Sequence, residues 1–554
     1  MTACSGPTPR CGDDFTSIAQ IQGRDQRSPL EGARVETEGI VTALRFGNDR
    51  TPEGFYIEST KPDGDPATSD GLFVAGPGPT PGTLIRIAGT VAEVNDQLTA
   101  LSPAQVTECG AGELPPPSPV VLPLRGRHIE SLEGTRISLT GTHVLTGVTR
   151  LNTRGEAVVA NGTRLYGPTE VASPGRFASE VARANLRRSL TLDDFDAPPG
   201  ATEASLWPDP APAVGTQLDN LTGVLEHQYG YRLHLTKAPA IAERVTLPEP
   251  PSRRGNLRVV AFNVENLFNG DGQGRDFPTP RGRATEAGYR AQLSRIANHL
   301  AALTPDMAAL AELENDGSEP GSALADLLAA LQEASGHPYR GVATPAGGLG
   351  DDAIAVGIIY REDTVEPVGE PSTRRDAPFS DLNRPPLAQT FRHRASGETL
   401  TLVSLHLKSK SCGEAIGPDA DQRDGQGCWN ATRTQAVRAL GRWIDQTPEA
   451  DTRRTLLAGD LNAYSREAPL KLAQDLGYQR VLPPSPPTYT YVFRGAAGSL
   501  DHILAGPDLA SQLKAASVWH INADRPAVPS ESENLSLRSS DHDPVVADFL
   551  LEPR

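Results

Sequence analysis

Two hydrophobic rhythms divide the chain. In its first part, apolar and polar residues trade places at every second position between clusters of Gly, Pro and Asp, which is the pattern of half-buried strands. Arg34–Ala43, Gly54–Glu58, Gly71–Val74, Thr83–Glu93 and Leu98–Leu101 follow it and predict a small β barrel over residues 14–113. Leu114–Pro123 is rich in proline and reads as a linker. Residues 124–247 predict a second β-rich domain, with strands at Thr135–Thr140, Glu156–Val159 and Arg232–Leu235 and a helix at Pro174–Arg188. No chemistry is assigned to it. Asp193, Asp194 and Asp196 suit a cation there, and an acidic surface turn explains them equally well.

Beyond a second linker, Pro248–Arg254, the rhythm changes. Residues 255–552 carry short unbroken apolar runs, as in strands buried on both faces, separated by stretches of helical spacing. The runs predict strands at Arg258–Val264, Met307–Leu313, Ala353–Tyr360, Leu400–Leu405, Thr455–Ala458, Leu500–Leu504 and Val545–Leu551. Helices are predicted at Tyr289–Leu303, Gly321–Ala334 and Asn430–Gln446. In the first of them Leu293, Ile296, Ala297, Leu300 and Leu303 form a core stripe. This is an α/β pattern of two packed mixed sheets flanked by helices, a four-layer sandwich at the end of a multidomain chain.

Composition narrows the picture. Length alone suggests three to four domains, and 53 glycines with 49 prolines agree with a large β content. A net charge of -17 weakens a nucleic-acid reading without removing it, because a local basic groove can still hold phosphates. The five cysteines, Cys4, Cys11, Cys109, Cys412 and Cys428, sit in loop-like contexts without zinc-finger spacing. That favours disulfides and an oxidising compartment, with Cys412 bridging to Cys428 and Cys109 to Cys11 or Cys4. No run is long enough to span a membrane as a helix, and an extracellular, periplasmic or cell-surface location is expected, with a secretory leader removed ahead of Met1.

The chemistry lies at the strand ends. Leu456–Gly459 is a strand that stops at a glycine and presents Asp460 and Asn462, two residues apart and so on one face of an extended chain. A carboxylate beside an amide oxygen suits a hard cation or a water awaiting deprotonation, although a simple Asx turn uses the same residues. The surrounding segments decide the matter. Asn263-Val-Glu265, Glu312-Leu-Glu314, His406-Leu-Lys408-Ser-Lys410, Asp501-His502 and Asp541-His542-Asp543 each put acid/base or metal-binding groups at a strand end. Strand ends on one side of a sheet are where α/β folds place their sites.

This ordered set resembles the endonuclease/exonuclease/phosphatase superfamily, which includes deoxyribonucleases, abasic-site endonucleases and sphingomyelinases. The segments His406–Cys412 and Gln426–Asn430 resemble its extracellular bacterial nuclease branch, and the first barrel resembles the OB-like domain that precedes the catalytic unit there. In such barrels aromatic side chains stack single strands, and Phe55, Tyr56 and Phe73 are the candidates here, although filling the barrel core explains three such residues better.

The resemblance implies roles residue by residue. Glu312, Asn263 and Asp541 would hold Mg²⁺ or Mn²⁺, with Glu265 in support and Ca²⁺ as an additional structural ion. His542, oriented by Asp501, and Asp460, with Asn462, are the acid/base groups, and either Asp460 or His542 is the proton acceptor. His406 would contact a phosphoryl oxygen or protonate the leaving group. Lys408, Lys410, Arg423, Asn430 and Arg433 would bind phosphates. The expected activity is hydrolysis of phosphodiester bonds in DNA, with RNA as a further substrate, by direct attack of water. The competing readings are a phosphatase or phospholipid or sugar phosphodiesterase on the same scaffold, and a noncatalytic nucleic-acid-binding protein.

Overall fold

The computed structural model describes residues 10–46, 52–94, 97–123, 129–194, 206–227, 230–380, 382–447, 449–483, 485–534 and 537–553. The chain divides into two compact units, residues 1–165 with 184–245, and residues 166–183 with 246–554.

The first unit opens with a closed barrel. Its strands, Arg34–Phe46, Pro52–Glu58, Gly71–Ala75, Thr83–Val94 and Leu98–Ala111, neighbour one another in the order first, second, third, fifth, fourth. The first strand closes the barrel on the fourth, from Arg34↔Thr90 to Ile40↔Leu84. Ile21, Val41, Phe55, Ile57, Leu72 and Ile87 fill the interior. Phe55 and Tyr56 have no exposed surface and Phe73 has 4%. These residues are core and form no stacking platform: Phe55 fills the barrel interior, while Tyr56 and Phe73, on the other face, are covered by Ala43, Leu98, Ala100 and Val224. A disulfide joins Cys11 to Cys109; Cys4 lies outside the described residues.

The rest of this unit is a nine-stranded sheet. The proline-rich stretch expected to be a linker is partly ordered into it, since Ser118–Val120 pairs parallel to Arg136–Leu139. Asp193 is not free for a cation: its carboxylate takes a 2.6 Å ion pair from Arg232. Asp196 lies outside the described residues.

The second unit holds two six-stranded sheets. One runs Tyr339–Gly341, Ile354–Arg361, Met307–Glu314, Leu257–Leu267, Val545–Phe549, Leu513–Val518; the other runs Val365–Thr373, Leu387–His393, Thr399–His406, Thr455–Asp460, Asp501–Ala505, Gln479–Arg480. Alternation explains the layering. Leu257, Val259 and Ala261 point inward to meet Leu402, Leu456, Ala458 and Ile503 of the other sheet. Val260, Phe262 and Val264, on the opposite face, pack against Ile296, Leu300 and Leu327 of two helices. On the second sheet, Val403, Leu405 and Leu457 likewise meet Val437 and Leu440 of a third helix. Both faces of the central strands are buried, which is why their sequences read as unbroken apolar runs.

The helices are Glu286–Leu303, Ala323–Ser335, Asn430–Ile444 and the shorter Ala468–Asp475. Thr285 and Ser322 cap the first two by accepting from backbone N–H groups in the first turn. Five strands of the two sheets escaped the hydrophobic pattern: Tyr339–Gly341, Val365–Thr373, Gln479–Arg480 and Leu513–Val518 at sheet edges, and Leu387–His393 beside an edge. Edge strands carry polar and proline residues on their open side and so lose the apolar signature.

Candidate active site

The two sheets deliver their polar groups by different routes. In the second sheet the delivery is regular. His406 pairs with Asp460 across a parallel ladder, and Asp460 pairs with Asp501 across an antiparallel one, so three titratable residues stand in one row. The row can close tightly because residue 459 is glycine: a Cβ there would lie 2.1 Å from the Leu405 carbonyl oxygen, and φ is +136°.

In the first sheet the chain leaves β geometry. Glu312 has φ +65°, Glu265 +56° and Asn266 +51°. The pairing register slips at the same places, between Asn263 and Leu267 and between Leu310 and Leu313. These irregularities act as bulges that re-aim side chains, at a conformational cost of roughly 1–3 kcal/mol per strained residue. Their result is a shared contact: Asn263 Nδ2 donates to Glu312 Oε1 at 3.0 Å and to Asp460 Oδ2 at 3.3 Å. The backbone N–H of Asn266 donates to Glu312 Oε2 at 3.1 Å.

His542 Nδ1 lies 2.6 Å from Asp501 Oδ2, and both residues are buried. The Ser540 hydroxyl donates to the Asn263 carbonyl oxygen at 2.6 Å and accepts from the His542 N–H at 3.0 Å, which ties the histidine loop to the bulged strand. Tyr491 covers the imidazole, with ring centroids 4.7 Å apart. Asp460 Oδ1 accepts from the Asn462 N–H at 2.8 Å, and Asn462 Nδ2 donates to the Leu407 carbonyl at 3.0 Å. His406 Nε2 is 3.7 Å from Asp460 Oδ2, and its Nδ1 is buried without a partner.

Electrostatics follow from this crowding. Burial, with the Asp501 charge behind it, pushes Asp460 up to about 7. Burial and the neighbouring Asp541 raise Glu312. Burial also opposes charge on His542, but Asp501, Asp541 and Asp460 outweigh it and hold the imidazole well above its ordinary value. His406 goes the other way: burial, together with the Arg384 and His542 cations, holds it well below the usual histidine range.

Glu312, His406 and Asp460 each offer a ligand atom within 4.8 Å of one another, as do Asp460, Asp501 and His542. Buried carboxylates crowded in this way are a donor set relieved by a hard divalent cation, and the oxygens of Glu312 and Asp460 are of the kind Mg²⁺ prefers, whereas the Asn263 amide oxygen accepts from the Glu265 N–H at 3.0 Å. The residues fit a metal.

Of the expected phosphate-binding residues, the structure leaves some available and engages others. The Lys408 ammonium sits over the Trp429 ring at 5.3 Å. Arg423 is exposed in the loop, and Asn430 opens a helix with its Oδ1 unpartnered. Lys410 is instead clamped by both oxygens of Glu467, at 2.6 and 2.7 Å. Arg433 has no exposed surface and donates to the carbonyls of Lys408 and Cys428. Both are corrected from phosphate binders to anchors of the loop. Both also donate to the Gln426 carbonyl, inside the loop that the Cys412–Cys428 disulfide closes. Glu265 turns to Arg283 and Arg538, at 3.4 and 3.7 Å, and His502 is buried against the Ala463 carbonyl.

The sequence reading missed Tyr491, Ser540 and Arg384. Arg384 is buried, pairs with Asp352 at 3.0 Å and exerts its charge on both His406 and Glu312. Nothing in its Asn-Arg-Pro-Pro context separates it from a loop arginine; only the fold brings it to the site.

The second unit is thus a four-layer sandwich that sets a buried His–Asp pair beside a carboxylate set able to hold a metal. The chain matches the model of the Endonuclease/Exonuclease/phosphatase family over residues 260–542 and belongs to that family, whose members are hydrolases, usually metal-dependent phosphodiesterases. Its fold is similar to that of an endonuclease/exonuclease/phosphatase protein from Bacteroides vulgatus (16% identity, TM-score 0.36, covering 53% of this chain and 99% of that one). It is also similar to an AP endonuclease from Archaeoglobus fulgidus (18% identity, TM-score 0.33, 53% and 99%) and to a mannosyl-6-phosphatase from Bacteroides thetaiotaomicron (16% identity, TM-score 0.32, 53% and 99%). A search of curated proteins finds no match.

Proposed function

We propose that the protein is a secreted, divalent-metal-dependent nuclease that hydrolyses phosphodiester bonds of DNA, and of RNA by the same chemistry. The observation that carries the reading is the convergence of His542–Asp501, Asp460–Asn462 and Glu312–Asn263 in one buried cluster. Glu312, Asn263 and Asp541 would hold Mg²⁺ or Mn²⁺, which when bound neutralises phosphoryl charge. Asp501 fixes the tautomer and orientation of His542 by accepting from its Nδ1–H, leaving Nε2 free to exchange a proton. Asp460, its pKa near neutrality and its Oδ1 held by the Asn462 N–H, orients the attacking water and can accept its proton. His406 and Lys408 face the phosphoryl oxygens. The disulfides support secretion, and among the described residues no helix is long and apolar enough to cross a membrane. The strand order of the first barrel supports its reading as an OB-like domain over residues 14–113, followed by a β-rich domain at 124–247 and the catalytic domain at 255–552.

The test is release of acid-soluble nucleotides from DNA and RNA with Mg²⁺ or Mn²⁺. Activity should vanish with EDTA and in Asp460→Ala while the circular dichroism spectrum is kept. Turnover of sugar phosphates or phospholipids with none of nucleic acid would overturn the substrate assignment.

A further inference from the structure

We infer that the hairpin Tyr491–Gly498 is a nucleobase-stacking arm, with Phe493 as the platform for an unpaired base next to the scissile phosphate; the inference rests on the nuclease reading and names how that site takes its substrate.

The hairpin pairs Tyr491 with Gly498 and Phe493 with Ala496. Side chains alternate along a strand, so Tyr491 and Phe493 share a face while Val492 turns to the other and is buried with Tyr489, Ala497 and Ala523. The Tyr491 ring already defines where that shared face looks, because it lies 4.7 Å from the His542 imidazole. Phe493 stands two residues further out, about 7 Å along the strand. Unlike Tyr491 it is 52% exposed. A single exposed apolar side chain is ordinary on a protein surface; Phe493 is set apart by sharing the strand face on which Tyr491 meets His542.

The next residue indicates which partner. Arg494, held at φ +49°, places its guanidinium 5.3 Å from the Phe493 ring centroid. It is exposed, and among the described contacts it has no carboxylate partner. An aromatic plane with a free cation on one side offers a base its other face and the adjoining phosphate a charge. A phosphorylated sugar offers the ring only C–H groups and a lipid headgroup no flat face, so neither uses the aromatic plane as fully as a base does. A paired base cannot present its face, so the arm favours single-stranded, frayed or looped substrate.

Stacking is read directly with a single-stranded oligonucleotide carrying 2-aminopurine, whose fluorescence is quenched when it stacks, added to the full chain in EDTA so that turnover is not needed. Quenching is expected with the wild-type protein and with Phe493→Trp, and at least roughly a fivefold weaker half-saturation with Phe493→Ala. With Mg²⁺, the same Phe493→Ala protein should lose a similar factor in kcat/KM on the normal oligonucleotide and almost none on one with abasic residues flanking a single cleavable bond. Quenching that is absent, or that Phe493→Ala leaves unchanged, overturns the inference. Quenching without turnover in any divalent metal leaves the stacking arm standing and overturns the nuclease reading instead.

Discussion

The two sheets of the second unit reach the same cluster by opposite means. The second keeps strict register and sets His406, Asp460 and Asp501 side by side on neighbouring strands. The first breaks register twice and forces Glu312, Glu265 and Asn266 into left-handed backbone to bring Glu312 within 3.0 Å of Asn263. A regular ladder suits groups that must keep fixed spacing. A bulge suits a carboxylate that must turn out of its strand, as Glu312 does to meet Asn263 and the Asn266 N–H. The strain is local to the site, where the surrounding core over-determines the backbone.

The comparison can be broken first at the end of the regular row, where Asp501 holds the His542 of the neighbouring loop. If His542 transfers the proton, His542→Ala should lower kcat about 10³- to 10⁴-fold in DNA digestion, and calorimetry should show a lower melting temperature as well, because Asp501 is left buried without its partner. Activity kept within tenfold would mean that His542 does not transfer the proton. On the bulged side, Glu312→Gln retains the shape and the Asn266 contact but drops a charge. Half-saturating Mg²⁺ should rise roughly 10- to 100-fold or more in a metal titration, with kcat recovering at high metal. An unchanged titration would leave the bulges without a function.

Gly459→Ala tests how tightly the regular row is packed. The added methyl meets the Leu405 backbone, so stability should fall by roughly 1–3 kcal/mol in urea unfolding, and the row should be displaced with it.

Acidification separates the sheets from their packing. Burial holds His502 down to about 3, and burial with Arg525 nearby holds His299 at about 4, against 6.5 unfolded. Between about pH 4 and 6.5 the unfolded chain binds protons that the native one refuses, so stability is present above the unfolded pKa and is lost as pH falls, by about 1.4 kcal/mol per pH unit for each histidine. His502→Gln should remove its own share, about 1.4 kcal/mol per pH unit, from that slope in pH-dependent unfolding.

The smallest expected effect concerns the loop beyond His406. Lys408→Met should raise KM for oligonucleotides several-fold, on the order of one charge-assisted contact, with little loss of stability. Lys410→Met should leave KM alone and lower the melting temperature, because Glu467 is left buried without its cation.

How much of this was legible beforehand depends on distance along the chain. The central strands and three long helices appear in the hydrophobic pattern because burial on both faces or on one stripe is written in local residue order. The edge strand Leu513–Val518 does not, since solvent makes no such demand. Asp460 and Asn462 were picked out by a strand ending on glycine, but the argument from two-residue alternation failed for Glu265, which turns to arginines once the chain bulges. Lys410 and Arg433 look like phosphate ligands in sequence and are loop anchors in the fold, because a charge's partner is set by what lies across the loop.

The sequence by itself determined the central strands and the three long helices of the second unit, and which strands end in groups able to bind metal or move protons; periodicity and residue chemistry are local properties. Only the tertiary structure decided that Asn263 touches both Glu312 and Asp460, that Asp501 orients His542, and that Tyr491 covers the imidazole while Phe493 stays open. Those facts depend on register slips and on contacts between residues far apart in the chain, and a one-residue change in register would redirect the side chains without altering the pattern that predicted the strands.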